Sequence, residues 1–363
     1  MYGNIVAWVV GICTGLRGSQ AKTLAEVVVG AMRCRRVSLA DVGRSMRGSA
    51  LAKHRIKRVW RFLRNERIEA PEAMRAMLHL AARASGWRLV VAVDWVDVRE
   101  YKVLRAAVPI GGRSIPVLFA AYTKWDVFKS QNAFEEGFFA LLRTLLPERT
   151  HAVIIADRGF HRAELAQTLQ ALRLSYVIRV NGKTHFSTDA FCGPLDSLRL
   201  RPGRHADLGF GAYRKQRPVR QRVVVYWRTR NAEPWFLATD LDAGWRRIAA
   251  AYARRMSIEE LFRDEKNLRY GWGLRQSHVS DEHRLERLLL VLAFAYLLLL
   301  LIGFHAMQTL SSAHWSAASS GKRRQASAFL VGRLLCNDTN GPLRQLLRLL
   351  FSLLLQIDKE NWG

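Results

Sequence analysis

Two apolar stretches that each lead into an aspartate decide the predicted fold: residues 89–95 read LVVAVDW, and residues 152–160 read AVIIADRGF. Short apolar runs rich in Val and Ile are typical of strands buried inside a sheet. Neighbouring strands of this kind would place Asp94 and Asp157 close together at one sheet edge. Like charges so placed repel, and a divalent cation relieves the repulsion. Taken singly, an aspartate that follows a strand is more often a turn or cap residue, so further carboxylates are needed to support a metal site.

Strands and helices alternate around these two stretches. Further strands are predicted at 98–107, 115–122 and 176–180, and helices at 133–146 and 161–172. Three strands followed by alternating helices and strands indicate an α/β fold, a mixed sheet with helices on both faces in the order of a ribonuclease-H-like core. Residues 181–243 are rich in Gly and Pro and then alternate in polarity, which predicts β-hairpins inserted into this core.

A helix predicted over residues 246–270 carries a third carboxylate and reads AYARRMSIEELFRDEKN from residue 251. At about 100° per residue, one stripe of this helix presents four polar side chains together: Tyr252, Arg255, Glu259 and Lys266. Glu260 lies about 100° from Glu259, and Glu265 lies on the far side, where we expect solvent or a basic neighbour at the edge of that face. The stripe fits a phosphate-handling site and an exposed salt-bridge face equally well.

The first 85 residues are predicted to be helical, and the stretch from Ser38 to Asn65 resembles a helix-turn-helix. Ser38 would cap the first helix, and the second helix would span Ala52 to Leu63. The packing side of that second helix is predicted to contain Ile56, Val59, Trp60 and Leu63. Its basic side chains include Lys53, Arg55, Lys57, Arg58 and Arg61. They form either a solvated face or, as we predict, a surface that contacts nucleic-acid phosphates.

Composition points to a polyanionic partner. The chain has 363 residues with 57 Lys and Arg against 30 Asp and Glu, a formal net charge of +27. Nucleic acid is the usual partner of such a protein, and an anionic membrane is the main rival. The uncharged run Leu288–Phe304 is short for a membrane span, which needs about 20 apolar residues, so we predict a buried core helix. Four scattered cysteines suggest a reducing cytoplasm.

The spacing Tyr-x2-Arg-x3-Glu-x6-Lys, from Tyr252 to Lys266, resembles the YREK signature of DDE insertion-sequence transposases in the branch that excises through DNA hairpins. The motifs VDW at Asp94 and ADRGF at Asp157 resemble the first and second Asp motifs of that family, and all three motifs occur in the required order. The β-strand insertion after the second Asp is also similar to the family. The resemblance covers roughly residues 30–305, and residues 306–363 carry no matching motif.

The resemblance implies a ribonuclease-H-like core in which Asp94, Asp157 and Glu259 bind two Mg²⁺ ions, with Mn²⁺ as a possible substitute. It implies that Tyr252 and Arg255 hold phosphates near a flipped base and that Lys266 holds the DNA end. A tryptophan of the insertion stacks on the flipped base in this branch. The candidates are Trp227 and Trp235, although each fits a core position better than a stacking one.

The predicted function is cut-and-paste transposition by a bacterial, cytoplasmic and nucleoid-associated enzyme. Its partners would be double-stranded DNA, both terminal inverted repeats and target, and a second copy in a homodimer, with no membrane. The predicted division is a helical DNA-binding domain (1–85), the first part of the catalytic core (86–180), the insertion (181–243), the rest of the core (244–305) and a helical C-terminal region (306–363). Alternatives are a metal-dependent nuclease, a non-catalytic DNA-binding protein and a membrane-associated basic protein.

Overall fold

A computed structural model describes residues 2–213, 219–311, 315 and 326–336. In this part of the chain ten strands form one sheet. The strands, numbered in chain order, are β1 (Arg88–Val98), β2 (Tyr101–Ile110), β3 (Arg113–Thr123), β4 (His151–Ala156), β5 (Ser175–Arg179), β6 (His185–Ser187), β7 (Cys192–Pro194), β8 (His205–Tyr213), β9 (Val219–Tyr226) and β10 (Trp235–Thr239).

The first five strands have the arrangement of a ribonuclease-H-like core. They lie side by side in the order β3-β2-β1-β4-β5. β1, β2 and β3 are antiparallel neighbours, whereas β4 runs parallel to β1 and β5 runs parallel to β4. The predicted mixed α/β sheet is therefore confirmed, and its parallel strands place their carboxyl ends at the same edge.

Helices surround the sheet in the described residues. They are α1 (Tyr2–Ile12), α2 (Gly18–Arg33), α3 (Leu39–Ser45), α4 (Ala52–Leu63), α5 (Ala70–Ala84), α6 (Lys124–Leu145), α7 (Ala163–Ala171), α8 (Trp245–Ala253), α9 (Met256–Lys266), α10 (Glu282–Thr309) and α11 (Ala328–Leu335). Successive side chains of a strand point to opposite faces. Trp95 of β1 contacts α6 and its neighbour Asp94 contacts Arg255, just before α9, so α6 and α9 cover opposite faces.

The predicted insertion continues the main sheet. β10 pairs antiparallel with β5, and β9, β8, β6 and β7 follow outward. This extension has a small apolar core of its own, which includes Phe186, Leu195 and Val223. Leu237 of β10 faces Arg179 of β5, so the beginning of β10 lies at the same sheet edge as the carboxyl ends of β4 and β5.

The apolar run Leu288–Phe304 belongs to α10, which lies in the interior. In the described part of the chain one helix, α10, is long and apolar enough to cross a bilayer, but 94% of its most apolar window is buried within the protein. It packs against β3, α2 and α11, and an all-round apolar surface is what a helix in this position needs. The prediction of a buried helix is confirmed.

The two helices predicted between Ser38 and Asn65 are present as α3 and α4, and Ser38 caps α3 by accepting a hydrogen bond from the Asp41 amide. A Cβ on Gly43 would lie 2.6 Å from the Ile56 Cα, so only glycine allows α3 and α4 to pack this closely. Trp60 on α4 is 40% exposed, whereas Phe62 is buried. Val59 and Leu63 are buried as predicted, but the prediction that Trp60 packs inward was wrong, and Phe62 is buried instead.

These helices share one hydrophobic core with the sheet. Buried Trp272, in the segment after α9, donates from its indole nitrogen to the carbonyl of Ala31 on α2 at 3.0 Å. Buried Arg287 on α10 donates to the carbonyls of Leu63 and Ile68. An experiment on DNA binding therefore needs the full chain, since residues 1–85 would lose these contacts in isolation. In the predicted C-terminal region, α11 is helical, and residues 312–314, 316–325 and 337–363 lie outside the described residues.

Candidate active site

The pairing between β1 and β4 positions the two aspartates. The last paired residues are Ala92 and Ile155, and Asp94 and Asp157 each lie two positions further along. They therefore stand side by side where the two strands separate. Asp94 does not end its strand as predicted, because β1 continues to Val98 through its pairing with β2. Asp157 does follow its strand directly, and its Oδ1 accepts a hydrogen bond from the Gly159 amide at 2.8 Å.

The helix predicted over residues 246–270 is interrupted, so the prediction that Tyr252, Arg255, Glu259 and Lys266 share one stripe of a continuous helix was wrong in its geometry. α8 ends at Ala253 and α9 begins at Met256. Between them the amides of Arg254 and Arg255 donate to carbonyls three residues back, at 3.2 and 2.9 Å, which is a tighter turn than an α-helix. Angles computed for one continuous helix therefore do not apply across residues 254 and 255. The Arg255 side chain at the junction still faces Asp94.

Arg255 connects the first and third predicted carboxylates. Its Nη1 lies 3.1 Å from Asp94 Oδ2, and its Nη2 lies 2.6 Å from Glu259 Oε1. The Arg255 side chain is 11% exposed, that of Asp94 20% and that of Glu259 41%. One cation thus serves two carboxylates at the rim of a partly buried site.

Electrostatics join Asp157 to the same group. The pKa of Asp94 is raised to about 6, chiefly because burial penalises its charged form, and Asp157 and Glu259 add to the rise while Arg255 opposes it. Asp157 and Glu259 are therefore each close enough to Asp94 to repel its charged form. A site with more negative than positive charge at low solvent exposure favours binding of a further cation.

The donor set fits Mg²⁺ or Mn²⁺, because all three groups are carboxylates and these ions prefer oxygen ligands. Across the described residues, however, no three His, Cys, Asp or Glu side chains already stand close enough together to hold a metal ion. The guanidinium of Arg255 lies between Asp94 and Glu259. The group converges around Arg255, and a metal would have to displace that guanidinium.

Tyr252 and Lys266 lie on either side of this group along the chain. Tyr252 is 4% exposed; burial raises the pKa of its phenol, and Arg255, which hydrogen-bonds to it, opposes the rise. Lys266 is at the end of α9, with its ammonium 5.8 Å from the Phe262 ring. Burial lowers the pKa of Lys266, Arg275 adds to the lowering, and Asp97 on β1 opposes it.

The structure separates the two tryptophan candidates. The ring of Trp235, at the start of β10, meets the ring of Tyr252 edge-on with 5.0 Å between centroids. The guanidinium carbon of Arg228 lies 5.8 Å from the centroid of the Trp235 ring. Trp227 follows β9, and its indole nitrogen donates to the carbonyl of Asn231 at 3.0 Å in the turn. Of the two tryptophans, only Trp235 thus lies beside Tyr252.

Glu265 corrects another expectation. It meets a basic neighbour, but in the interior and not at the edge of a face: both of its oxygens lie 2.8 Å from the guanidinium nitrogens of Arg105 on β2. The side chains of Arg105 and Glu265 are 0% and 2% exposed. The sequence suggested neither this burial nor a partner 160 residues away.

Glu135 on α6 is a buried polar residue that the sequence did not single out. It is fully buried and contacts Trp95, which follows Asp94, and Arg162, which comes soon after Asp157. Little in the sequence favoured Glu135, because it stands next to Glu136 in a predicted helix, and adjacent glutamates are typical of a solvent-exposed helix face. The helix also starts at Lys124, earlier than the predicted residue 133.

The basic residues predicted on α4 divide into two groups. Arg55 donates to the Met46 carbonyl at 2.6 Å and Arg58 forms an ion pair with Glu26, so both stabilise the helical fold. Lys53, Lys57 and Arg61 are exposed. A surface cleft of about 580 Å³ is lined by the basic face of α4 and the start of α2, with the residues Ser19, Gln20, Thr23, His54, Lys57, Arg58 and Arg61 among its walls.

Comparison with known families gives a match over part of the chain. Residues 129–298 match the family model described as the transposase DDE domain. The matched range contains Asp157, Arg255 and Glu259 and excludes Asp94 and the N-terminal helices. The match supports a DDE transposase and, with it, DNA cleavage and transfer related to transposition. No curated protein matches the chain.

Proposed function

We propose that this protein is a DDE insertion-sequence transposase of the hairpin-forming YREK branch, which binds the terminal inverted repeats of its element and cuts and joins DNA. The observation that carries the proposal is Arg255, which binds Asp94 and Glu259 together beside Asp157. Two of these carboxylates lie within the matched transposase DDE domain. A solvated salt-bridge face would not need a second carboxylate from a buried strand.

The chemistry proposed is in-line phosphoryl transfer. Two Mg²⁺ or Mn²⁺ ions, when bound, would supply an activated water or 3′-hydroxyl and neutralise the leaving oxygen. Asp94, Asp157 and Glu259 would hold them through carboxylate oxygens. The Arg255 guanidinium would then turn from its carboxylates to a DNA phosphate. Its Nε is buried without a hydrogen-bond partner among the described residues, which leaves a donor for a phosphate oxygen.

Base stacking is assigned to Trp235 in this proposal, with Tyr252 beside it, and no longer to Trp227. Trp235 is half-buried and lies at the sheet edge that carries the two aspartates. An aromatic face in that position suits an unstacked base. Lys266, at the far end of α9, would contact the DNA end beyond the carboxylates.

DNA docking is assigned to the cleft of α4 and α2. The exposed Lys53, Lys57 and Arg61 would contact phosphates, a sequence-independent interaction that weakens steeply with salt. Arg55 and Arg58 would support the helices that carry those residues. The proposed partners are double-stranded DNA of the inverted repeats and the target, and a second copy in a homodimer. The proposed setting is the bacterial cytoplasm and nucleoid.

A matched pair of variants tests this function. Glu259→Gln and Glu260→Gln remove the same charge from adjacent residues of α9, but Glu260 pairs with Arg263 and Arg113, away from the aspartates. With DNA that carries the inverted repeats flanking the coding region, the wild-type protein and Glu260→Gln should cleave in Mg²⁺. Glu259→Gln should bind this DNA normally and cleave at least about 100-fold more slowly.

The outcomes separate the alternatives. Cleavage without joining of the ends to target DNA would identify a metal-dependent nuclease. Specific binding with no cleavage by the wild-type protein in Mg²⁺ or Mn²⁺ would indicate a non-catalytic DNA-binding protein. Normal cleavage by Glu259→Gln would remove Glu259 from the active site.

A further inference from the structure

Glu135 on α6 is a fully buried carboxylate that accepts hydrogen bonds from three side chains. The indole nitrogen of Trp95 donates to its Oε1 at 2.9 Å, and so does Nε2 of Gln131 at 2.9 Å. Its Oε2 forms an ion pair with Nη1 of Arg162. A buried carboxylate is costly unless it is both paired and hydrogen-bonded, and Glu135 meets both conditions.

Two of these three partners come from the segments that carry the aspartates. Trp95 follows Asp94 directly on β1. Arg162 comes five residues after Asp157, at the residue that precedes α7. The two segments are separated where β1 and β4 stop pairing, after Ala92 and Ile155. At that point the backbone ladder no longer holds them in register, and Glu135 joins them again through side chains.

Arg162 is held firmly enough to transmit this constraint. Its second guanidinium nitrogen, Nη2, donates to the Asn132 carbonyl at 3.1 Å and to Glu136 Oε1 at 3.2 Å. On the other side of the same segment, the ring of His161 packs on Tyr213 and lies 3.2 Å from the Gln221 amide nitrogen of β9. The chain after Asp157 is thus fixed by α6 on one side and by the insertion on the other.

We propose that Glu135 is a positioning residue, which sets the separation and orientation of the Asp94 and Asp157 carboxylates for binding divalent cations. This inference rests on the metal-dependent function proposed above. Glu135 lies on the opposite face of β1 from Asp94, so it acts through Trp95 and Arg162 and does not touch substrate. A well-packed apolar residue would stabilise the fold as well as a buried ion pair does. A network of this kind is explained better by the precision that metal ligands require.

The test compares Glu135→Gln with Glu136→Gln in the full chain. Both variants remove one negative charge next to Arg162, but only Glu135 contacts Trp95 and Gln131. Binding of Mn²⁺ is measured from the decrease in the electron paramagnetic resonance signal of free Mn²⁺, with Glu259→Gln defining the site. Thermal unfolding is recorded for each variant. The second readout is the Mg²⁺ concentration that gives half-maximal cleavage.

Glu135→Gln should weaken Mn²⁺ binding by about 10- to 100-fold and raise the Mg²⁺ concentration needed for cleavage, while Glu136→Gln changes neither. Trp95→Phe, which removes only the indole donor, should shift Mn²⁺ affinity in the same direction with little change in melting temperature. It decides the question if Glu135→Gln does not fold. Unchanged Mn²⁺ affinity in a folded Glu135→Gln or Trp95→Phe protein would overturn the positioning role. A wild-type protein that binds no Mn²⁺ would overturn the metal site itself, and this role with it.

Discussion

Two glutamates of α9, Glu259 and Glu265, each pair with an arginine, but the two pairs differ in burial and in the number of partners. Glu265 and Arg105 bind each other through two hydrogen bonds of 2.8 Å, with side chains 2% and 0% exposed. Glu259, 41% exposed, shares Arg255 with Asp94. The first pair is closed, because both oxygens of Glu265 bind Arg105, whereas the second is open and has more carboxylate than guanidinium.

On the proposed function, α9 serves both the fold and the chemistry. In the interior, each charge of the Arg105–Glu265 pair requires the other, because an unpaired buried charge is strongly destabilising. At the sheet edge, Arg255 holds mutually repelling carboxylates that solvent and substrate can reach. Such a group can release its cation in exchange for a metal ion without exposing a buried charge.

Breaking the closed pair should have the largest effect on stability. Arg105→Met leaves Glu265 buried without a partner and should lower the free energy of unfolding by about 3–5 kcal/mol. Denaturant titration measures this loss. The double variant Arg105→Met/Glu265→Leu should recover most of it, since neither charge then remains. A single variant as stable as the wild type would mean that Glu265 reaches solvent. Glu265→Gln should also unfold readily, because it leaves the buried Arg105 without its ion pair.

The pH dependence of the free energy of unfolding should reveal the raised pKa of Asp94. The pKa of Asp94 is about 6 in the folded chain, against about 3.9 when unfolded. The folded state therefore binds more protons between these values, so the contribution of Asp94 is most favourable below pH ~4 and is lost as pH rises to ~6. Relative to the wild type, Asp94→Asn should gain about 2–3 kcal/mol between pH 4 and pH 7 in the presence of EDTA. A parallel pair of pH profiles would contradict the raised pKa.

Removing Arg255 should lower the free energy of unfolding less than removing the buried Arg105 does. Arg255→Ala leaves Asp94 and Glu259 without their guanidinium, but Asp94 can take up a proton and Glu259 is hydrated. We expect a loss of about 1 kcal/mol in chemical unfolding at pH 7. A loss as large as that of Arg105→Met would show that Arg255 is primarily a structural residue.

Glu259→Gln should have the smallest effect on stability, within about 0.5 kcal/mol. It removes one ion pair with Arg255 and, at the same time, one repulsive neighbour of Asp94. Calorimetry on the metal-free protein measures the change. Substantial unfolding would make the cleavage test of this variant uninterpretable as chemistry and would place Glu259 among the structural carboxylates.

The sequence predicted the strands of the core well, because β1, β4 and β5 each contain a continuous apolar run. The resemblance to the transposase family grouped Asp94, Asp157, Arg255 and Glu259, and in the fold Arg255 contacts Asp94 and Glu259. The exact course of the helix between them was not predictable. The tight turn at residues 254 and 255 contains no Gly or Pro, and its hydrogen bonds depend on how α8 and α9 each pack against the sheet.

Long-range polar pairs were beyond prediction for a similar reason. Glu265 and Glu135 each occur in helical segments rich in charge, where most carboxylates are hydrated. Their burial is decided by partners distant in sequence, Arg105 and Arg162, which only the folded sheet brings near. For the same reason the sequence could not separate Trp235 from Trp227, since the choice depends on which one the register of β10 places beside Tyr252.

The most direct measurement is anomalous diffraction from crystals of the full chain, bound to DNA of its inverted repeats and soaked in Mn²⁺. The account predicts Mn²⁺ peaks within about 2.0–2.4 Å of carboxylate oxygens from Asp94, Asp157 and Glu259, with Arg255 moved from between Asp94 and Glu259 to a DNA phosphate. Mn²⁺ bound without Glu259, or an Arg255 that keeps both ion pairs in the DNA complex, would contradict it.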